Sequence, residues 1–348
     1  MDIFYSWREH FLQLTKKTPI VIVHGIAMSG HGFVIGGTGG NESLVHSLGR
    51  LGYDVWILNY RGTWYSKKHT TLTPRDKKFW AFSIHELGIY DIRTALKYVN
   101  KATGQKPIYI GYSMGTTGFY VYSTTFSDEA RSLVKGMIGL APVINYKGVK
   151  SVAKFSALPV VWPILKSFVY LFWNGEILPG FSRFLKPFLL TSPGMYLIQT
   201  CVNLIFGDDY EQMNPITYPL LPTWIDTAGA EVYTHYVQIY QSGVFQNYDY
   251  GKNRNLEVYS QSSPPAYQIS KVSVPVALFV GANDWLATPT NAQQLYSEIP
   301  ESSRCGYNLV PFPRWNHIDF IVAKDLPKYL YKSIFHKIAD IDDGKCKP

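Results

Sequence analysis

Hydrophobic positions along this chain follow two regimes. Up to about Tyr146, and again after about Tyr250, short unbroken apolar runs alternate with amphipathic stretches. Pro19-Ile20-Val21-Ile22-Val23 is a β-branched run ending at His24-Gly25, the pattern of a parallel strand buried on both faces. Tyr53 to Asn59, Pro107 to Ile110, Val134 to Leu140, Val274 to Gly281 and Tyr307 to Val310 are read as further strands. Ser83-Ile84-His85-Glu86 is a capping-box pattern that opens a helix. Its apolar face is Ile89, Ile92, Leu96 and Val99, and Gly104 stops it. Thr116 to Thr124 reads as another helix. Strand and helix in alternation predict an α/β fold, a mostly parallel sheet covered by helices on both faces.

The second regime, residues 147–250, is rich in Phe, Leu, Trp, Tyr and Pro, with helical stretches and no clean strand alternation. The sheet pattern resumes after it. An insertion between strands is where an α/β fold can grow without breaking its core. We therefore expect a core in two parts, 1–146 and 251–348, and an inserted, mainly helical cap or lid over 147–250. An ordinary helical subdomain with its own core would share this composition.

Composition narrows the class. Of 348 residues, 46% are hydrophobic and 17% charged, which suits a large core. Aromatics reach 16%, with 26 tyrosines, as an apolar binding surface or a tyrosine-rich core would require. The net charge of +8 is spread along the chain, compatible with attraction to anionic lipid surfaces. No nucleic-acid motif is present. Three cysteines, Cys201, Cys305 and Cys346, form no C-x-x-C and no His/Cys pattern, which argues against structural zinc. They allow one disulfide and leave an odd thiol. No metal and no cofactor is expected. Met1 to Lys17 shows no signal peptide, its apolar patch being broken by Arg8, Glu9 and His10. Leu158 to Trp173 is interrupted by Lys166 and two prolines, and no transmembrane helix is expected.

The chemistry begins at Gly111-Tyr112-Ser113-Met114-Gly115, a G-x-S-x-G pentapeptide between a strand and a helix. That context makes it a nucleophile elbow, which lifts Ser113 above the carboxyl edge of the sheet. A serine hydroxyl needs a base, and the base needs an acid to fix its tautomer. With such an elbow the chain order is Ser, then Asp or Glu, then His. Asp284 follows the strand ending at Gly281, and His317 lies in the loop after the last strand. We assign Ser113 as nucleophile, His317 as general base then acid, and Asp284 as the group orienting His317. Of the nine histidines, His31, His46, His69 and His85 precede the serine or flank early elements. His235 falls in the insertion and His336 in a terminal helix. Asp319, two residues from the base, is placed badly for the far ring nitrogen and is read as tying down the loop. The developing oxyanion needs two N–H donors. Met114, after the nucleophile, supplies one, and Ile26 in the loop His24-Gly25-Ile26-Ala27 the other.

Several segments together resemble the animal acid lipase family, which includes gastric lipase, lysosomal acid lipase and many insect lipases. They include His24-Gly25-Ile26-Ala27, Gly52 to Trp56 with Tyr60-Arg61-Gly62, and Phe79-Trp80-Ala81-Phe82-Ser83. Leu140-Ala141-Pro142-Val143, Tyr248-Asp249-Tyr250-Gly251 and Asn316-His317-Ile318-Asp319-Phe320 extend the likeness, which runs from about Pro19 to the end. The resemblance implies an α/β-hydrolase fold with a mobile lid and the triad and oxyanion donors assigned above. It also implies a secreted or lysosomal glycoprotein acting on triacylglycerols or cholesteryl esters at a membrane or lipid-droplet interface, with an acidic optimum common. This chain departs from the family in lacking its signal peptide, and in a Gly-rich loop after Ile26. It also has Tyr112 and Met114 where His-Gln or His-Ser flank the nucleophile, and no nearby partner for Cys201. Asn41-Glu42-Ser43 is its glycosylation sequon. The expected activity is a serine lipase; a carboxylesterase for soluble esters, or a silent lipid-binding homologue, are the alternatives.

Overall fold

A computed structural model describes residues 18–35, 43–146, 148–213 and 220–346, apart from the side chains of 182 and 185. Met1 to Lys17 and the sequon asparagine Asn41 lie outside the described residues. Six strands form the main sheet: β1 (Pro19–Val23), β2 (Asp54–Leu58), β3 (Ile108–Tyr112), β4 (Gly136–Leu140) and, after the insertion, two more. The inserted region contributes a separate two-residue pair, β5 (Glu176–Ile177) with β6 (Ala228–Gly229), antiparallel. The main sheet then resumes with β7 (Val276–Val280) and β8 (Arg304–Leu309). Its order is β2-β1-β3-β4-β7-β8, all parallel. The register runs Val55–Ile20–Ile108 on one side and Ile138–Ala277 on the other.

Every residue of β1, β3, β4 and β7 is buried, as helices on both faces require and as the unbroken apolar runs predict. The last strand starts earlier than its alternation suggests. The register shifts between Val276 and Ala277: Arg304 pairs with Val276 and Gly306, at φ +137°, with Ala277, leaving Cys305 as the extra residue of a bulge. The capping box forms: Ser83 N–H donates to Glu86 Oε2 at 2.7 Å, and the Ser83 hydroxyl accepts from His85 N at 3.2 Å. The helix then passes through a π segment, Leu87–Ile92, before settling into Arg93–Thr103. Gly104 ends it in the left-handed conformation.

Between β4 and β7 the chain is mainly helical. Helices Val161–Trp173, Phe181–Leu189, Ser192–Phe206 and Ala230–Ser242 lie there. No helix of the described residues is long and apolar enough to cross a membrane. Cys305 and Cys346 are joined in a disulfide, and Cys201 is free and exposed.

Candidate active site

The elbow is built by close approach. Ser113 sits at φ +51°, ψ −114°, between β3 and the helix Met114–Thr125. A Cβ on Gly115 would lie 2.5 Å from the Val23 carbonyl oxygen, and one on Gly111 would lie 2.8 Å from Gly115. Only glycine fits either position, and the serine between them is held off the sheet edge in a strained backbone. Ser113 is 8% exposed and lines a cavity.

His317 and Asp284 meet it there. The Ser113 hydroxyl lies 2.9 Å from His317 Nε2, and His317 Nδ1 lies 2.7 Å from Asp284 Oδ2. Asp284 is fixed through its other oxygen, which accepts from Leu286 N at 2.9 Å and Ala287 N at 2.7 Å. The carboxylate can therefore hold the ring with Nδ1–H toward itself and Nε2 free to accept the serine proton. Tyr112 donates from its hydroxyl to the His317 carbonyl at 2.9 Å. A side chain beside Ser113 thus anchors the backbone of His317.

Comparison with known proteins decides the family. A family model described as alpha/beta hydrolase fold matches residues 18–324. Lipase 1 of Drosophila melanogaster is 32% identical over 98% of this chain and 75% of its own length. Human gastric triacylglycerol lipase is 32% identical over 94% of this chain and 81% of its own. The putative lysosomal acid lipase/cholesteryl ester hydrolase of Crotalus adamanteus is 31% identical, covering 94% and 82%. The chain belongs to the acid lipase family of α/β hydrolases. The fold is likewise that of a soluble variant of monoglyceride lipase from Saccharomyces cerevisiae, with a TM-score of 0.54 at 14% identity over 97% of this chain and 90% of that one.

The other assigned positions of this acid lipase relative lie around the serine. Gly25 packs against Tyr112 and Ser113, bringing Ile26 to the cavity wall. Met114 is the first residue of the elbow helix, where leading N–H groups find no acceptor inside the helix. His24 is a structural residue. It is fully buried, accepts from Tyr60 N at 3.1 Å, and burial pulls its pKa down to about 4. His235 is likewise buried and held neutral, its pKa lowered to about 4, with Nε2 facing the Gln246 carbonyl.

The cavity measures about 500 Å³ and is lined chiefly by apolar side chains from the inserted helices, among them Val202, Phe206, Trp224 and Val237. Sequence reasoning missed one of these as a site residue. The Phe206 ring stacks on His317 at 5.6 Å with an interplanar angle of 8°. The only local signal was an aromatic residue before a glycine, Phe206-Gly207, which nothing in the sequence connects to the distant histidine.

Proposed function

We propose that this carboxylic ester hydrolase is a serine lipase for neutral lipid esters, triacylglycerols or cholesteryl esters, working through an acyl-enzyme on Ser113. One observation carries the reading: Ser113 and His317, joined in the hydrogen-bonded line Ser113–His317–Asp284, line an apolar cavity of about 500 Å³. Ser113 Oγ attacks the ester carbonyl while His317 Nε2 takes its proton. The N–H groups of Met114 and Ile26 receive the charge on the former carbonyl oxygen. His317 returns the proton to the departing alcohol, then activates the water that frees the fatty acid. Asp284 keeps the ring oriented and stabilises its charged form.

Residues 147–250 serve in this reading as a cap that shapes the acyl site and meets the lipid surface. Leu171 is 72% exposed and Phe172 63%, an apolar face of the kind that marks an interaction surface. The net charge of +8 favours approach to anionic interfaces. The Cys305–Cys346 disulfide supports an oxidising compartment, secreted or lysosomal.

The test is hydrolysis of emulsified trioleoylglycerol by the purified chain, with Ser113→Ala as control. Activity lost in the variant supports the reading. Much faster turnover of a soluble short-chain ester than of the emulsion would instead favour a carboxylesterase.

A further inference from the structure

Helix Ser192–Phe206 ends directly on the histidine loop, and the residues after it run as a strap across the loops that carry His317 and Asp284. The Phe206 carbonyl accepts from His317 N at 3.3 Å and from Trp285 N at 3.2 Å. The Gly207 carbonyl accepts from Asn316 Nδ2 at 2.7 Å, and the Gln212 carbonyl from Lys324 N at 2.9 Å. Met213 bridges to Ala323. In the middle of this seam two carboxyl groups meet.

Asp209, on the strap, and Asp319, on the histidine loop, are both fully buried. Asp209 Oδ1 accepts from Glu211 N at 2.8 Å and Gln212 N at 3.1 Å. Asp319 Oδ2 accepts from Asn316 N at 2.7 Å. That leaves Asp209 Oδ2 and Asp319 Oδ1, buried and without a donor among the described residues. The two carboxyl groups act on each other across this seam. Carboxylates only accept, so a hydrogen bond between their free oxygens requires a proton on one of them.

We propose that Asp209 and Asp319 share one proton, and that this acid–carboxylate pair is a positioning device that holds the strap, and through it His317, against Ser113 until rising pH removes the proton. The inference rests on the reading of Ser113 and His317 as nucleophile and base. The proton resides on Asp319. Burial and the Asp209 charge raise the Asp319 pKa well above the usual carboxylate range, and it has one N–H donor where Asp209 has two. The ionisable groups that bear on the pair are mainly acidic. Asp284 and Tyr112 face Asp319, and Glu211, paired with Arg314 at 3.5 Å, faces Asp209. An acid whose folded pKa is raised contributes stability that is full below its unfolded pKa and lost as pH rises through the folded one. Beyond that point two buried carboxylates repel across the seam, and the Phe206–His317 stack has no clamp beneath it.

The experiment measures the rate at which a fluorophosphonate probe labels Ser113, from about pH 5 to pH 9, in the full chain. Thermal unfolding is followed across the same range. In the wild type, labelling rises as His317 loses its proton and then falls on the alkaline side, with the melting temperature falling alongside. Asp319→Asn keeps both hydrogen bonds without a titrating proton, its N–H donating to Asp209 and its oxygen accepting from Asn316. Its alkaline midpoint should move up by at least about one pH unit, with the acid limb unchanged. Asp209→Asn should do the same from the other side of the seam. Alkaline limbs that superimpose in all three proteins overturn the proposal. So does failure of both variants to fold at any pH, because a neutral carboxamide of the same shape supplies the bond proposed. A wild type that the probe never labels defeats the catalytic reading instead.

Discussion

Strand β7 and the inserted helix Val161–Trp173 are both built from large apolar side chains. In β7 every side chain is at most 1% exposed. In the helix, Trp162 and Val169 are buried, while Ile164, Phe168, Leu171 and Phe172 each expose more than half of their surface. The same kind of residue holds the fold together in one region and in the other faces outward in a contiguous patch. Exposed apolar patches of this kind mark interaction surfaces. In the proposed reading, stability and recognition are divided between sheet and insertion, with Ser113, His317 and Asp284 where the two meet.

That division makes separable predictions. Ser113→Ala at the sheet edge should lower turnover of every ester by about 10⁵–10⁶-fold with the melting temperature unchanged. Asp284→Asn should lower kcat by about 10⁴-fold through the wrong imidazole tautomer, again with the fold intact. A near-silent Asp284→Asn would remove Asp284 from the site. Leu278→Ala in β7 should cost about 2–5 kcal/mol of stability in denaturant titration, the loss expected of a cavity in a rigid core. Phe172→Ser on the exposed face should leave stability within about 0.5 kcal/mol of wild type. It should slow emulsified trioleoylglycerol and leave tributyrin below its solubility limit unaffected. Equal loss on both substrates would break the comparison. The smallest effect is expected at Tyr112→Phe, which removes the bond to the His317 carbonyl at a cost of about 1 kcal/mol, read as a several-fold fall in kcat/KM.

The candidate site residues that the structure brings together, Ser113, His317 and Asp284, were legible because each is announced locally. Ser113 stands in a motif whose glycines are dictated by atoms within a few ångströms, Asp284 follows the unbroken apolar run of β7, and His317 lies in the loop after the last strand. The family resemblance rested on motifs of the same local kind. What escaped was non-local or broke the period. Phe206 meets His317 across more than a hundred residues, and no pattern near either announces the other. The π segment Leu87–Ile92 keeps Leu87 and Ile92 buried, so a helical wheel gives no sign of the wider turn. The start of β8 was hidden by the bulge at Cys305, which interrupts the alternation while the ladder continues. β5 and β6 are two residues each, too short to have a period at all. Three cysteines allowed one bond without naming its ends, because pairing depends on where the terminal helix lands.

The bond between Cys305 and Cys346 closes a ring whose ends are 41 residues apart in the chain. His317, Asp319 and helix Lys332–Asp342 all lie inside that ring. A crosslink of this span contributes about 4 kcal/mol in the chain-entropy picture. A protease cutting anywhere between the two sulfurs would open the ring without releasing a fragment, so His317 would stay tethered to the strand beside the one that leads to Asp284. In a reducing compartment the same cut would set His317 adrift on one side of the break. The histidine loop is stitched down at both margins.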